Sequence, residues 1–221
     1  MILGKRVLGI IPARYGTKRL KLKNISNVGG KPLLAWTILS AKKSKYLDSV
    51  ILSTESKKIA KIGAKYGCEV PFLRKKILSN DNISSEEVVS YTLKKLNKIF
   101  HYVMLLQPTS PLRKARDIDK ALRKIVNTNA VSLMSVYRSR KINKFPVVVK
   151  NNRIINKNKN LLNKKKRYNY YLNGAIYLAK FSYIIKNKSF FSKNTIIFDM
   201  PEKRSIDIDT LEDLKKLKKI L

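Results

Sequence analysis

The chain has 221 residues, 44% of them hydrophobic, which is enough for one α/β domain (residues 1–221) with a substantial core. Its longest apolar runs are about six residues, against the roughly 20 that a bilayer requires, so a membrane span is excluded. The net charge is +35, from 49 Lys and Arg against 14 Asp and Glu, and it favours anionic partners. The start, MILGKRVLGIIPAR, lacks the long apolar segment and cleavage site of a secretory signal. Cys68 is the single cysteine, so there is no internal disulfide framework. A cytoplasmic protein is expected. The lysines run through the whole length together with Ile and Asn, as a compositional drift on a solvated surface would produce. The tyrosines are scattered rather than spaced as a stacking platform, and no nucleic-acid-binding motif appears. The rival reading, a basic nucleic-acid-binding protein, therefore rests on charge alone. Duplex binding is expected to be weak and salt-dependent, with no specific nucleic-acid partner.

In chain order, RVLGIIP (Arg6–Pro12) reads as a strand, and PLLAWTILSAKKS (Pro32–Ser44) as a helix with Pro32 in its first turn. SVILST (Ser49–Thr54) is a second strand. Glu55 to Tyr66 is helical, with Gly67 as its C-cap, and CEVPF is a short third strand. In SSEEVVSYTLKKLNKIF, Ser84 and Glu87 fit a capping box, and Val89, Leu93, Leu96 and Phe100 keep helical spacing. YVMLLQ (Tyr102–Gln107) is a continuous apolar strand of the kind buried on both faces. A helix over Ala115–Val126 and a strand over Ala130–Val136 follow. His101, the only histidine, precedes the apolar strand and reads as structural. Repeated strand–helix alternation implies an α/β fold with a mostly parallel sheet and helices on both faces. From Tyr137 to Tyr170 the period is lost, and short strands around VKNNR predict a hairpin within an irregular excursion. Either a partner subunit or the chain's own sheet covers that arm. Regularity returns at GAIYLAK. The final helix, LEDLKKLKKIL, has Thr210 and Asp213 at its start and Leu211, Leu214 and Leu217 facing inward.

Three stretches carry candidate chemistry. ARYGTKRLKLKN follows the first strand, at the sheet edge where open α/β folds bind ligands. Gly16 frees backbone N–H groups, and Arg14 and Lys23 add charged donors, which suits a triphosphate. The glycine spacings of a dinucleotide fingerprint and of a Walker loop are both absent, and an exposed basic loop would look the same. SIDIDT puts Asp207 and Asp209 two apart. On an extended segment they share a face and either hold a hard divalent cation or sit solvated among lysines. LLQPTSPLR leaves the apolar strand stiffened by Pro108 and Pro111, with Gln107 and Thr109 available to hydrogen-bond.

PARYGTKRLKLKN resembles the PAR-x-G-S-K-R-x-x-x-K-N signature of the acylneuraminate cytidylyltransferases, with Thr17 in place of the usual serine. GGKPLLAWTI, ILSTES, IAKIGAKYGCEVPFLR, LQPTSPLR, NGAIY and DIDTLEDL continue the resemblance in family order over nearly the whole chain. It implies a Rossmann-like sheet of the nucleotide-diphospho-sugar transferase type. It also implies a reaction in which CTP gives CMP to the anomeric hydroxyl of a nine-carbon 2-keto sugar acid and pyrophosphate leaves. By resemblance, Arg14, Lys23 and Asn24 are the catalytic, triphosphate-side residues, and Arg74, Ser84 and Ser85 complete the nucleotide site. Gln107, Thr109 and Asn173 face the sugar acid, and Asp207 and Asp209 bind Mg²⁺. Ser84 and Ser85 divide base contact and helix capping in an order the residues leave open, and Asn173 also reads as a plain turn residue before Gly174. Arg113 reads as structural. The residues at about 137–170 match the family's dimerisation region, implying a homodimer. The family's R-x-x-L-P run is replaced by LLNKKKRYNYY, which lacks the proline; either one of Lys164, Lys165, Lys166 and Arg167 replaces the sugar-binding arginine or none does, and the sugar's identity stays open. N-acylneuraminate is favoured as acceptor, with legionaminate and pseudaminate as alternatives, then 3-deoxy-manno-octulosonate on a related fold.

Overall fold

The computed structural model describes residues 1–16, 20, 22–141, 143–157 and 169–221. Lys164 to Arg167 lie outside the described residues. Strand β1 (Val7–Pro12) pairs in parallel with β4 (Ser49–Ser53) on one side and β5 (Tyr102–Leu105) on the other. The full sheet has eight strands in the order β4-β1-β5-β9-β6-β10-β8-β7. Its second half comprises β6 (Ser132–Ser139), the hairpin β7 (Pro146–Lys150) and β8 (Arg153–Asn156), the long β9 (Asn169–Lys180) and β10 (Ile196–Asp199). Two-residue strands β2 (Asn27–Val28) and β3 (Lys31–Pro32) form a separate ribbon. The parallel expectation holds for the β4-β1-β5 half and for β6 with β10. It fails around β9, which runs against both β5 and β6, and at the hairpin, so the sheet is mixed.

Among the described residues there are six α-helices, five on the sheet and the last on the ribbon. They are α1 (Leu33–Lys42), α2 (Lys57–Lys65), α3 (Ser85–Leu96), α4 (Ala115–Thr128), α5 (Phe181–Asn187) and α6 (Leu211–Lys218). The period-two alternation of the strands assigns the two faces. Tyr102 and Met104 meet α1, α2 and α4 through Leu34, Ile38, Ile59, Ile118 and Leu122. Val103 and Leu105 point the other way, to Val89 and Leu93 of α3 and Ile184 of α5. A third cluster seals α6 against the β2–β3 ribbon through Val28, Leu33, Ile208, Leu214 and Leu217. No helix among the described residues is long and apolar enough to cross a membrane.

Local signals behave as their chemistry requires. Ser84 caps α3 in a complete capping box with Glu87, and Thr210 caps α6 in another with Asp213. Gly67 follows α2 at φ +76°, a left-handed position. Two expectations need correction, and a third is sharpened. CEVPF is not a strand: Glu69 makes an isolated bridge to Ile51, and Leu73, just beyond it, makes one to Thr54, because Pro71 lacks an N–H to extend a ladder. Leu211 is exposed rather than inward, being in the first turn of α6 ahead of the buried Leu214 and Leu217. The excursion is not wholly irregular: the VKNNR hairpin forms, β7 pairing with β9 and β8 with β10, so part of it packs on the chain's own sheet. Phe145 and Ile155 remain exposed there.

Candidate functional site

A cleft of about 510 Å³ opens at the carboxyl ends of β1 and β5. Eight of the eleven residues singled out from the sequence line it: Arg14, Lys23, Asn24, Arg74, Ser85, Gln107, Thr109 and Asp209. Asn173 and Asp207 line an adjoining cavity of about 330 Å³, and Asp209 borders both. Ser84 lines neither: its hydroxyl accepts from Glu87 N at 3.1 Å, so Ser84 caps and Ser85 faces the cleft.

Charge is anchored by charge around the cleft. Arg14 lies just beyond β1, and its guanidinium makes an ion pair with Asp81 at 2.6 Å and donates to Ser79 O at 3.0 Å. Buried Asn24 donates to Arg14 O at 2.8 Å, holding the basic loop's backbone. Lys23 reaches across the chain, donating to Ile208 O at 2.8 Å and pairing with Asp209 Oδ1 at 3.2 Å. Arg74 is only 5% exposed. It donates to Ser53 O and to Ser79 Oγ and pairs with Glu55 at 3.1 Å. Burial lowers its pKa, against the pull of Glu55. Arg74 is therefore spent mainly on the wall itself.

The opposite wall is the exit of β5. Arg113 is fully buried and donates to Ala175 O at 2.7 Å and to Gln107 O at 3.3 Å, as the structural reading expects. Its burial, only partly offset by Asp117, brings its pKa down to about 9. Thr109 O accepts from Ile208 N at 2.9 Å, which ties this loop to the aspartate segment. In that segment Ile208 is buried, and Asp207 and Asp209 on either side of it both border the smaller cavity. Burial raises the Asp207 pKa; the Thr109 hydroxyl opposes this and the nearby Asp209 charge adds to it. Asp207 Oδ1 is buried and has no hydrogen-bond partner among the described residues.

Asn173 lines the smaller cavity, yet its side chain is bound up in the fold. It is 2% exposed. Its amide donates to Ser205 Oγ at 2.9 Å, while its Oδ1 accepts from Ala175 N at 3.1 Å and lies 2.5 Å from Ser135 Oγ. These bonds fill the ladder positions lost where the register of β6 against β9 shifts. Gly174, at φ +69°, then passes so close to Gln107 that a Cβ would stand 3.4 Å from Gln107 Oε1. Asn173 thus lines the smaller cavity while its side-chain polar atoms are already bonded within the protein. Glu55, Ser79 and Asp81 were not singled out from the sequence. ILSTES and SNDNISSEE contain them, but their roles depend on partners 24 and 65 residues away.

Residues 8–220 match the family described as Cytidylyltransferase. The chain is 36% identical to a CMP-N,N'-diacetyllegionaminic acid synthase of Legionella pneumophila, covering 98% of this chain and 96% of that one. It is 30% identical to a pseudaminic acid cytidylyltransferase of Campylobacter jejuni, over 94% of this chain and 93% of that one. The fold superimposes with a TM-score of 0.81 on a CMP:2-keto-3-deoxy-manno-octonic acid synthetase complexed with CTP, at 17% identity over 97% of this chain and 98% of that one. A nucleotidyltransferase fold with a basic cleft at its strand ends is thus defined by architecture. The chain belongs to the cytidylyltransferase family, in the branch of the acylneuraminate, legionaminate and pseudaminate enzymes.

Proposed function

We propose that this protein transfers CMP from CTP to the anomeric hydroxyl of a nonulosonic 2-keto sugar acid. The observation that supports it most is the convergence of Arg14, Lys23, Gln107 and Asp209 on one cleft whose neighbour contains Asp207. The anomeric oxygen forms a bond to the α-phosphorus of CTP, the bond from that phosphorus to the bridging oxygen breaks, and pyrophosphate leaves with its electron pair. The hydroxyl proton passes to solvent water. Arg14 and Lys23 supply fixed positive charge where phosphoryl oxygens gain negative charge. Arg14 exchanges Asp81 for phosphate oxygens when it does so. Asn24 keeps the basic loop in place by holding Arg14 O. Ser85, which starts α3 and lines the cleft, takes the base contact in this reading. Gln107 and Thr109 form the boundary between nucleotide and acceptor.

Asp207 and Asp209 suit Mg²⁺: both are hard oxygen donors bordering the smaller cavity, and the buried Asp207 Oδ1, unpartnered among the described residues, needs a positive partner. Among the described residues no group of three or more His, Cys, Asp and Glu gathers, so the remaining ligands would come from phosphate and water. When bound, the ion neutralises charge on the phosphates. Lys23 already balances one oxygen of Asp209.

The sequence motifs favour N-acylneuraminate. Similarity supports N,N'-diacetyllegionaminate better, because that relative stands at 36% identity and full length. The N-acylneuraminate cytidylyltransferase of Escherichia coli stands at 30%, with this chain spanning 51% of it. Exposed Phe145 and Ile155 on the hairpin arm support a homodimer in which a second copy covers that arm. The test is pyrophosphate release from CTP, UTP, ATP and GTP with legionaminate, N-acetylneuraminate, pseudaminate and octulosonate acceptors. Release from CTP with a nonulosonate, largest with the legionaminate, is expected. Release with octulosonate alone, or with none, overturns the proposal.

A further inference from the structure

One largely buried carboxylate joins two segments of the same wall of the cleft and has no role in the reaction above. Glu55 lies two residues beyond β4, and its side chain is 11% exposed. Its Oε1 accepts the backbone N–H of Tyr15 at 2.7 Å, one residue beyond Arg14. Its Oε2 accepts the hydroxyl of Ser79 at 2.7 Å and pairs with Arg74 at 3.1 Å. Ser79 O in turn accepts from Arg14 at 3.0 Å, and Asp81, two residues on, completes the ion pair with the same guanidinium. The result is a closed loop of contacts running Glu55, Tyr15, Arg14, Ser79 and back to Glu55. The two oxygens divide the work: one holds the basic loop, the other holds the segment leading to α3 and Ser85.

We propose that Glu55 is a positioning residue that clamps the basic loop to the segment before α3 and so fixes Arg14 for the nucleotide triphosphate. This rests on the cytidylyltransferase reading. The physical reason is that Arg14 is 29% exposed and would sample many rotamers on an untethered loop. Anchoring the next residue's N–H removes that freedom before the ligand arrives. The Ser79 arm also keeps the Asp81 carboxylate opposite Arg14, so the guanidinium stays paired until phosphate oxygens replace that carboxylate. Charge matters as well as reach. A neutral amide at position 55 has one acceptor oxygen, and its NH₂ would face Arg74, where only an acceptor belongs. An aspartate keeps the charge but is one methylene short of spanning both loops.

The experiment measures CTP binding by calorimetry without acceptor, for the wild type, Glu55→Gln, Ser79→Ala and the double variant, each with a melting curve. Pyrophosphate release with the nonulosonate panel is run on the wild type alongside. The clamp requires Glu55→Gln to weaken CTP binding about tenfold or more and Ser79→Ala to weaken it by a smaller factor. It also requires the double variant to be no weaker than Glu55→Gln alone, since both act through one linkage. A folded Glu55→Gln protein with Kd for CTP within about twofold of wild type overturns it, as do losses that simply multiply. If Glu55→Gln does not fold, Ser79→Ala decides alone: weakened CTP binding supports the clamp and unchanged binding overturns it. Wild-type protein that binds CTP but releases no pyrophosphate with any nonulosonate overturns the proposed reaction and leaves the clamp standing. Wild-type protein that does not bind CTP overturns both.

Discussion

The two walls of the site handle polar groups in opposite ways. On the wall formed by the basic loop and the segment before α3 every charged group named above meets another: Arg14 with Asp81, Arg74 with Glu55, both through Ser79. On the wall at the exit of β5 the buried polar groups meet neutral partners or none that is described. Asn173 is consumed by a strand irregularity, Arg113 by two carbonyls, and Asp207 keeps one oxygen without a described partner. The first wall holds its charges ready for exchange against a ligand's charge, whereas the second carries an uncompensated cost that a cation can remove. Lys23 is the link, donating to the aspartate segment from the basic loop.

Removing that link should produce the largest effect. Lys23→Ala is expected to lower kcat/KM for CTP by about 10²–10³, read by pyrophosphate release, because a fixed cation at the reacting phosphates is lost. An unchanged kcat/KM would detach the two walls functionally. Asp207→Asn should come next, with turnover down on the order of 10² and the magnesium optimum shifted upward. Its melting temperature should hold or rise, since a buried carboxylate with a raised pKa is replaced by a neutral group. A lower melting temperature with unaltered magnesium dependence would make Asp207 a fold residue. Asn173→Ala should act in reverse, costing about 2 kcal/mol of stability as its partners lose their bonds, with KM for CTP unchanged. Calorimetric melting and steady-state kinetics separate those two outcomes.

The smaller effects concern helix starts. Ser84→Ala should lower stability by about 1 kcal/mol without changing nucleotide choice, and Ser85→Ala should change CTP affinity without moving the melting temperature. The smallest is a pH effect at α6. Burial pushes the Asp213 pKa up, but hydrogen bonds from Asp209 N, Thr210 Oγ1 and Thr210 N prevail and lower it. A carboxylate with a depressed folded pKa stabilises above its unfolded value and loses that contribution as pH falls through the folded one. Asp213→Asn should therefore flatten the loss of melting temperature below about pH 4 while lowering it modestly at neutral pH.

These predictions divide along the same line as legibility. The capping boxes of α3 and α6 are written within four residues, so Ser84, Glu87, Thr210 and Asp213 could be read directly. The two aspartates bordering one cavity follow from their spacing and were legible too. Asn173 was not, because its fate depends on a register shift between Met134 and Val136 that periodicity does not encode. Glu55 was not, since its partners come from other loops and an acidic residue before a helix has an ordinary local explanation. The position of β9 was also hidden: strand–helix alternation implies parallel neighbours, and a strand entering from a distant segment leaves no periodic mark of where it docks.

That docking has a consequence during synthesis. The β4-β1-β5 unit and helices α1 to α3 are complete once Leu105 and the following turn have left the ribosome. The outer edge of β5 then waits for Tyr177 to Lys180 to supply its hydrogen bonds, with α4, β6 and the hairpin all made in between. Throughout that interval the nascent chain exposes an apolar, unpaired strand at its centre, the kind of edge on which chains associate wrongly. Closing it is a long-range event, slow relative to the local helices. The yield of folded protein should thus depend on how promptly the last third of the chain arrives.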